Sequence, residues 1–170
     1  LSVSSQVVAQ MAILIKDDLN QHILFFDNYF TSLDLMKFLT EKDIPAIGTV
    51  RESRLRKCPL SDNETLKKEE RGSMDFKFDK QNEITVCKWY DNRPVVVATN
   101  FGSIDVHKEA KRRCKKKGAV SKDIHIPIPD IIDQYNLGMG GVDHLDWMIA
   151  KYRTVVRSKK YHWSLFTNIL

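Results

Sequence analysis

The chain has 170 residues, of which 42% are hydrophobic and 29% charged, and its formal net charge is +5. These values are typical of a globular protein of one or two domains with a sizeable core, and no apolar run approaches the roughly 20 residues that would span a membrane. The three cysteines are far apart and form no Cys-x-x-Cys pair, so neither a zinc knuckle nor a disulfide framework is indicated. Because the chain does not begin with Met, we expect a fragment of a longer protein.

The first fifty residues have the pattern of helix, strand, helix and strand. A helix is predicted from about Ser5 to Asp18, and its apolar side would consist of Val7, Val8, Met11, Ala12 and Ile15. The apolar run Ile23 to Phe26 predicts a buried strand, and Ser32 is placed to cap the next helix. Pro45 to Val50 predicts a second strand. Strand, helix and strand with short links are typical of neighbouring parallel strands in an α/β sheet.

The middle of the chain has the pattern of a β-meander. After a polar stretch with one short helix, apolar and polar residues alternate from Met74 to Phe78, and further strands are predicted at Ile84 to Tyr90 and Val95 to Thr99. We interpret this antiparallel patch as an insertion into the α/β unit. Trp89 and Tyr90 are assigned to strand packing rather than to base stacking.

A strongly basic segment follows the meander. Lys108 to Lys117 contains seven Lys or Arg against Glu109 alone, so it carries more positive charge than the chain as a whole. Since it has no apolar periodicity, we predict a mobile loop. This loop would contact DNA phosphates or act as a nuclear import signal, or it would simply be a solvated surface.

The C-terminal part is predicted to be helical. Ile131, Ile132 and Tyr135 indicate a short helix, and a cluster of three glycines ends it. Asp143 then opens a helix, and a last helix is predicted from about Tyr161 to Leu170. The apolar stripe of the Asp143 helix, predicted to pack on the sheet, is Leu145, Met148, Ile149 and Tyr152.

Three carboxylates are candidate metal ligands. Asp27 directly follows a buried strand, at the edge where α/β sheets expose their chemistry, whereas Asp143 and Asp146 are three apart and therefore side by side on a helix. Hard divalent cations prefer oxygen ligands, and three acids suffice to hold a pair of ions around a phosphodiester. The structural alternatives are a turn role for Asp27 and a capping box formed by Asp143 and Asp146.

Several sequence blocks occur in the order found in one family. They are Asp27–Ser32, Gly48–Arg51, Trp89–Asn92, Tyr135–Asn136, Met139–Asp146, and Tyr152-Arg153 with Arg157–Lys160 ahead of Trp163. In these blocks the chain resembles the piggyBac-type transposases and their domesticated relatives. The resemblance implies a partial RNase H-like core, an α/β fold with a parallel or mixed sheet and flanking helices, interrupted by an antiparallel β insertion. Residues 1–50 would begin this core, 51–123 would form the mainly β insertion with its basic loop, and 124–170 would be the helical return to the core.

The resemblance also implies roles for single residues. Asp27 matches the family's second catalytic aspartate, Asp143 the third, and Asp146 the acid three residues on, so these three would bind two Mg²⁺ or Mn²⁺ ions. The implied reaction is metal-dependent cleavage and transfer of DNA strands by phosphoryl transfer at inverted-repeat ends and TTAA-like targets. The family's first catalytic aspartate and its C-terminal zinc module have no match in this sequence, and Trp147 stands where Gln is usual. The chain by itself is therefore expected to be inactive.

The resemblance implies double-stranded DNA as the partner and a nuclear location. It leaves open whether the chain forms a homodimer, and no contact with a membrane is expected. One group of candidate DNA contacts follows the acidic pair and consists of Arg153, Arg157, Lys159 and Lys160. The other group lies in the basic run and consists of Lys111, Arg112, Arg113, Lys115, Lys116 and Lys117. His144 is expected at the surface. The alternatives to an active transposase are a domesticated DNA-binding protein without turnover and, less favoured, a plain α/β interaction domain.

Overall fold

The computed structural model describes residues 1–15, 22–56, 58–102, 104–106, 108–113, 123–153 and 160–162. The chain divides into two compact units, Leu1–Leu137 and Gly138–Leu170. The helices are α1 (Val3–Leu14), α2 (Leu33–Glu41), α3 (Asn63–Lys68), α4 (Asp130–Gly138) and α5 (Gly141–Tyr152). The strands are β1 (Leu24–Phe26), β2 (Ala46–Thr49), β3 (Met74–Asp79), β4 (Ile84–Tyr90), β5 (Pro94–Thr99), β6 (Lys108–Arg113) and β7 (Asp123–Ile128). Within the described ranges, no helix is long and apolar enough to cross a membrane.

The first unit is organised around a five-stranded mixed sheet with the order β1-β2-β5-β4-β3. β1 and β2 are parallel, with Phe26 opposite Gly48, which confirms the predicted strand–helix–strand unit. The predicted meander is also confirmed, because β3, β4 and β5 pair antiparallel in succession. β5 then pairs with β2, so the meander continues the same sheet. The α/β class is confirmed, while the RNase H-like assignment and the insertion boundaries stay predictions.

Both faces of this sheet are covered, because successive strand residues point to opposite sides. On one face the core is formed with α1 and α2, whose Ala12, Leu35 and Leu39 are buried. On the other face Trp89 of β4 packs with residues of β7 and α4, including Ile132. The indole N–H of Trp89 donates to the carbonyl of Pro127 at 3.0 Å, so its assignment to strand packing is confirmed. Each large apolar side chain buried in this way contributes about 1.5–3 kcal/mol, so the two layers fix the sheet firmly.

The predicted apolar side of α1 is correct only for Ala12, which is buried, and Val8, which is partly buried against the core. The buried residues of the helix are Ser5, Ala9 and Ala12, whereas Val7 and Met11 are 46% and 59% exposed. The small side chains let α1 pack closely beside α2, and the Ser5 hydroxyl donates to the carbonyl of Phe30 at 3.0 Å. The helix ends at Leu14. Its predicted end, Asp18, lies outside the described residues.

The predicted loop at the start of the basic run is a strand. β6 pairs antiparallel with β7, with Ala110 opposite Ile126, and cross-strand ion pairs such as Lys111–Asp123 at 3.0 Å support the pairing. The partner strand is anchored in the core by its own apolar residues, so β6 needs no apolar periodicity of its own. The remainder of the run, including Lys115, Lys116 and Lys117, lies outside the described residues.

The thiol of Cys87 on β4 is fully buried. Burial raises its pKa to about 12 from an ordinary value of 9.0, and the nearby Asp75 carboxylate acts in the same direction. Because the pKa is raised in the folded state, unfolding releases a proton above about pH 9, and this part of the stability is lost as the pH rises towards 12.

We therefore expect the free energy of unfolding to fall by as much as about 1.4 kcal/mol per pH unit above pH 9 through Cys87. Other groups titrate in the same range, so the difference between the unmodified chain and Cys87→Ala isolates the thiol. Urea unfolding at pH 8 and pH 10 should show the two chains drawing closer at the higher pH. If the difference in free energy of unfolding between the two chains is the same at pH 8 and at pH 10, the raised pKa of Cys87 is contradicted.

Candidate functional site

The loop after β1, Asp27–Ser32, is called the aspartate loop below. Asp27 directly follows the buried Phe26 and its carboxylate is exposed. One carboxylate oxygen accepts the backbone N–H of Tyr29 at 2.8 Å, and the carbonyl of Asp27 accepts the hydroxyl of Thr31 at 2.7 Å. The predicted turn role is therefore real. It uses one side-chain oxygen and leaves the second without a hydrogen bond to any described residue.

Two arginines hold the aspartate loop from the side of β2. The guanidinium of Arg54 donates to the carbonyls of Asn28, Tyr29 and Thr31 at 2.9, 2.7 and 3.1 Å. Arg51 donates to the side-chain oxygen of Asn28 at 3.1 Å. Hydrogen bonds from a charged donor are stronger than neutral ones, so the loop after Asp27 is fixed before any ligand arrives. Arg54 has no signal in the sequence, since its partners are backbone carbonyls more than twenty residues away.

The start of α2 completes the aspartate loop. The hydroxyl of Ser32 accepts the N–H of Leu35 at 3.1 Å, which confirms Ser32 as the N-cap. Thr31 is fully buried, and a Cβ added at Gly48 would lie 2.6 Å from the Thr31 hydroxyl and 2.6 Å from the ring of Phe26. Only glycine at position 48 therefore allows the loop to approach β2 so closely.

We expect Gly48→Ala to lower the free energy of unfolding by about 1–3 kcal/mol, because the added methyl group forces Phe26 or Thr31 out of a packed position. Gly141→Ala is the matched control, since nothing lies within 4 Å of a Cβ at that position. Urea unfolding of both variants measures the difference. Equal stability of Gly48→Ala and the unmodified chain would show that the close approach is not needed.

In the second unit, Asp143 and Asp146, called the acidic pair, lie on α5. The N-cap of α5 is Gly140, whose backbone has φ −83° and ψ 4°, and no side chain caps the helix. The alternative in which Asp143 caps the helix is therefore wrong, because the glycines start the helix one turn earlier. Asp143 and Asp146 are both exposed, and neither forms a hydrogen bond or ion pair with a described residue. Their side chains are available to a ligand.

The rest of α5 is also exposed. His144 lies at the surface as predicted, with its ring stacked on Trp147 at 5.8 Å between centroids. The predicted apolar stripe, including Leu145 and Ile149, is exposed, and its packing on the sheet stays a prediction.

The predicted DNA contacts lie on both units. Arg153 is the C-cap of α5 and is exposed, as is Lys160, while Arg157 and Lys159 lie outside the described residues. On β6, the side chain of Arg112 donates to Asp91 at 3.0 Å, and that of Arg113 is exposed. Whether any of these residues contacts DNA stays a prediction.

The described residues contain no group of three His, Cys, Asp or Glu side chains close enough to hold a metal ion. Asp27 belongs to the first unit and the acidic pair to the second. Their convergence on one site therefore stays a prediction. The donor type fits a hard divalent cation, because all three candidates offer exposed carboxylate oxygens.

The family model described as Transposase IS4 matches residues 2–170. This chain belongs to that transposase family, among its piggyBac-type members. The resemblance identified from the sequence blocks is thus confirmed. The chain is 37% identical over 147 residues to human PiggyBac transposable element-derived protein 2, covering 86% of this chain and 24% of the relative. It is 38% identical over 142 residues to human PiggyBac transposable element-derived protein 3, covering 84% of this chain and 23% of the relative.

The fold of this piggyBac-type chain is also similar to a solved structure. The cryo-EM structure of a piggyBac transposase synaptic complex with hairpin DNA matches with a TM-score of 0.63 and 20% identity. The match covers 99% of this chain and 32% of that one. The chain thus spans about a quarter of the length of these two curated relatives and about a third of the solved transposase.

Proposed function

We propose that this chain is part of a transposase catalytic core in which Asp27, Asp143 and Asp146 bind divalent cations for DNA strand cleavage and transfer. The observation that carries the proposal is the state of the acidic pair. Two carboxylates lie three residues apart on α5, exposed and without a capping role. Like charges at this spacing destabilise a helix by a few tenths of a kcal/mol, so a cation that binds both also relieves their repulsion.

The cations would be two Mg²⁺ or Mn²⁺ ions, which supply a Lewis acid and lower the pKa of a bound water or hydroxyl. Asp27 would offer the carboxylate oxygen that the N–H of Tyr29 leaves unused. Arg54 keeps that oxygen in position by fixing the carbonyls of the aspartate loop. The carboxylate of Asp27 would then be preorganised, because the aspartate loop would keep its shape when a cation binds.

DNA is the proposed partner, in keeping with the synaptic complex of the structurally similar transposase. Arg153 and Lys160 follow the acidic pair in sequence, and Arg113 is exposed on β6. Such cations would bind backbone phosphates without reading sequence. Inverted-repeat ends, TTAA-like targets, a nuclear location and a homodimer belong to the same proposal.

A domesticated DNA-binding protein without turnover is the second candidate. It is favoured by the names of the human relatives, which describe them as derived from transposable elements. This alternative predicts salt-dependent DNA binding that is unchanged by Asp27→Ala and Asp143→Ala.

The deciding experiment incubates the full-length protein with inverted-repeat DNA in Mg²⁺, in Mn²⁺ and in EDTA. Nicking at the repeat ends with either metal and none in EDTA is the expected result. Binding of the DNA without nicking in any buffer would exclude the catalytic proposal and leave the domesticated alternative.

A further inference from the structure

One edge of the five-stranded sheet is a long strand with an open side. β3 lies at the end of the strand order and pairs only with β4 among the described strands. Alternate residues of an edge strand direct their backbone N–H and C=O groups away from the sheet, so β3 offers hydrogen bonds to a further strand. β3 has six residues, whereas β1 at the other end of the sheet has three. β3 is therefore the longer template for pairing with another chain.

One face of β3 is apolar. Met74, Phe76 and Phe78 alternate along the strand and share a face, on which Phe76 lies opposite the buried Cys87. Met74 is partly buried against the core, but Phe76 and Phe78 are 46% and 53% exposed. Exposed apolar side chains on an open edge strand favour association with another strand.

The opposite face of β3 is charged. Lys77 donates through its Nζ to the carboxylate of Asp75 at 2.8 Å, and the two side chains are 42% and 18% exposed. An ammonium group has three N–H donors, so Lys77 can bind a second carboxylate as well. Lysine on an edge strand normally prevents pairing with other chains. It loses this effect when the incoming strand places an acid opposite it.

The sequence of β3 is complementary to itself in one antiparallel register. If two copies pair with Phe76 opposite Phe76, Asp75 of each copy lies opposite Lys77 of the other. Met74 of each copy then lies opposite Phe78 of the other, so the apolar face meets only apolar side chains. Directly opposite residues of an antiparallel pair share a face, and both opposite charges and apolar pairs there are stabilising.

The neighbouring registers are less favourable. A register centred on Asp75 places two carboxylates opposite each other, and one centred on Lys77 does the same with two ammonium groups. Like charges directly opposite are destabilising. A register centred on Phe78 pairs fewer residues, because β3 ends at Asp79. Charge and length therefore select the register centred on Phe76.

We propose that β3 is a dimer interface, in which it pairs antiparallel with β3 of a second copy of this chain, Phe76 opposite Phe76. The two sheets then continue into each other across a two-fold axis, which makes the interface the same patch on both copies. A second copy is favoured over an unrelated strand because a single sequence supplies both opposite-charge pairs. The inference rests on the homodimer included in the proposed function and names its surface.

The first test is a disulfide cross-link in the full-length protein under mild oxidation. Directly opposite residues of an antiparallel pair have Cα atoms about 4.5–5.5 Å apart, which a disulfide can bridge. Phe76→Cys is therefore expected to give a covalent dimer on a non-reducing gel. Phe78→Cys is the matched control, because the two copies of position 78 would be separated by four residues of strand, about 13 Å. It should give no more dimer than the unmodified protein.

The second test reverses single charges and measures dimerisation by sedimentation equilibrium. Lys77→Asp places acid opposite Asp75 at two positions, and we expect at least a tenfold weaker dimer, which corresponds to about 1.4 kcal/mol. Mixing Lys77→Asp with Asp75→Lys should restore a heterodimer, since each opposite pair is again of unlike charge. Lys80→Asp is the control, because it makes the same change in the turn after β3 and should dimerise normally.

Asp75→Lys also removes the acceptor of the N–H and hydroxyl of Ser61, so circular dichroism must show that this variant folds. The cross-link does not depend on it. Pairing of six residues buries less than a standard interface, so a dissociation constant in the micromolar range is expected for the unmodified protein.

The outcomes separate this surface from the proposed catalysis. If Phe76→Cys gives no more covalent dimer than the unmodified protein, or if Phe78→Cys gives as much as Phe76→Cys, the interface is overturned. Metal-dependent nicking by the same protein would then leave the catalytic proposal standing. A cross-link at position 76 in a protein that binds inverted-repeat DNA without nicking it would support the interface and exclude the catalytic proposal.

Discussion

Asp27→Asn in the full-length protein is expected to slow Mg²⁺-dependent cleavage of inverted-repeat DNA by about a thousand-fold. The amide oxygen can still accept the N–H of Tyr29, so the aspartate loop should keep its shape. The negative charge is lost, however, and a metal ion contributes several kcal/mol of charge stabilisation to the transition state. A loss of about 4 kcal/mol corresponds to this change in rate. Single-turnover nicking assays at saturating Mg²⁺ measure it.

Asp34→Asn is the matched control for Asp27→Asn. Asp34 lies seven residues further on, in the first turn of α2, and pairs with Arg56 at 2.8 Å on the surface. Its substitution removes the same charge from the same region, and the cleavage rate should stay within about twofold, because exposed pairs contribute about 0–1 kcal/mol. If Asp27→Asn cleaves as fast as Asp34→Asn, Asp27 has no catalytic role.

Lys88→Ala is expected to destabilise the chain by about 2–4 kcal/mol, since it leaves a cavity and removes a buried hydrogen-bonding group. Lys88 is 1% exposed on β4 and donates to the carbonyl of Ser61 at 2.8 Å. It also pairs with Glu52 at 3.1 Å. Glu52 begins the 3₁₀ turn that ends at Arg54. Through Glu52, Lys88 therefore also supports Arg54, the arginine that holds the aspartate loop.

Lys88→Met separates the volume of Lys88 from its charge. Lys88→Met keeps the volume but removes the donor to the carbonyl of Ser61 and the pair with Glu52, so it should lose about 1–3 kcal/mol, less than Lys88→Ala, which also leaves a cavity. Urea unfolding of the two variants gives the comparison. A stable Lys88→Ala, within about 0.5 kcal/mol of the unmodified chain, would show that β4 does not depend on this contact.

Features with local signals were predicted well from the sequence. The run ending at Phe26 and the cap at Ser32 need only neighbouring residues, so β1 and the start of α2 were found. β6 was missed because its stability comes from pairing with β7, which follows after a further stretch of chain. The buried side of α1 was predicted only in part, because Ser5 and Ala9, unlike the predicted Ala12, were passed over as small rather than strongly apolar, and close helix packing selects for size.

The candidate site was likewise predictable only where its signal is local. The spacing of Asp143 and Asp146 places them on one side of a helix, and the sequence blocks identified the family. The supporting Arg54 has no local signal, since its contacts are with backbone atoms of the aspartate loop.

The proposed catalytic function depends most on Asp27, Asp143 and Asp146 binding the same cations. Fe²⁺ can replace Mg²⁺ in an oxygen-ligand site, and with ascorbate and peroxide it cuts the backbone near its ligands. In the full-length protein we expect cuts beside both Asp27 and Asp143, competed by Mg²⁺ and both weakened in Asp27→Asn. Cuts beside only one of the two segments, or cuts near Asp143 that Asp27→Asn leaves unchanged, would contradict a shared metal site.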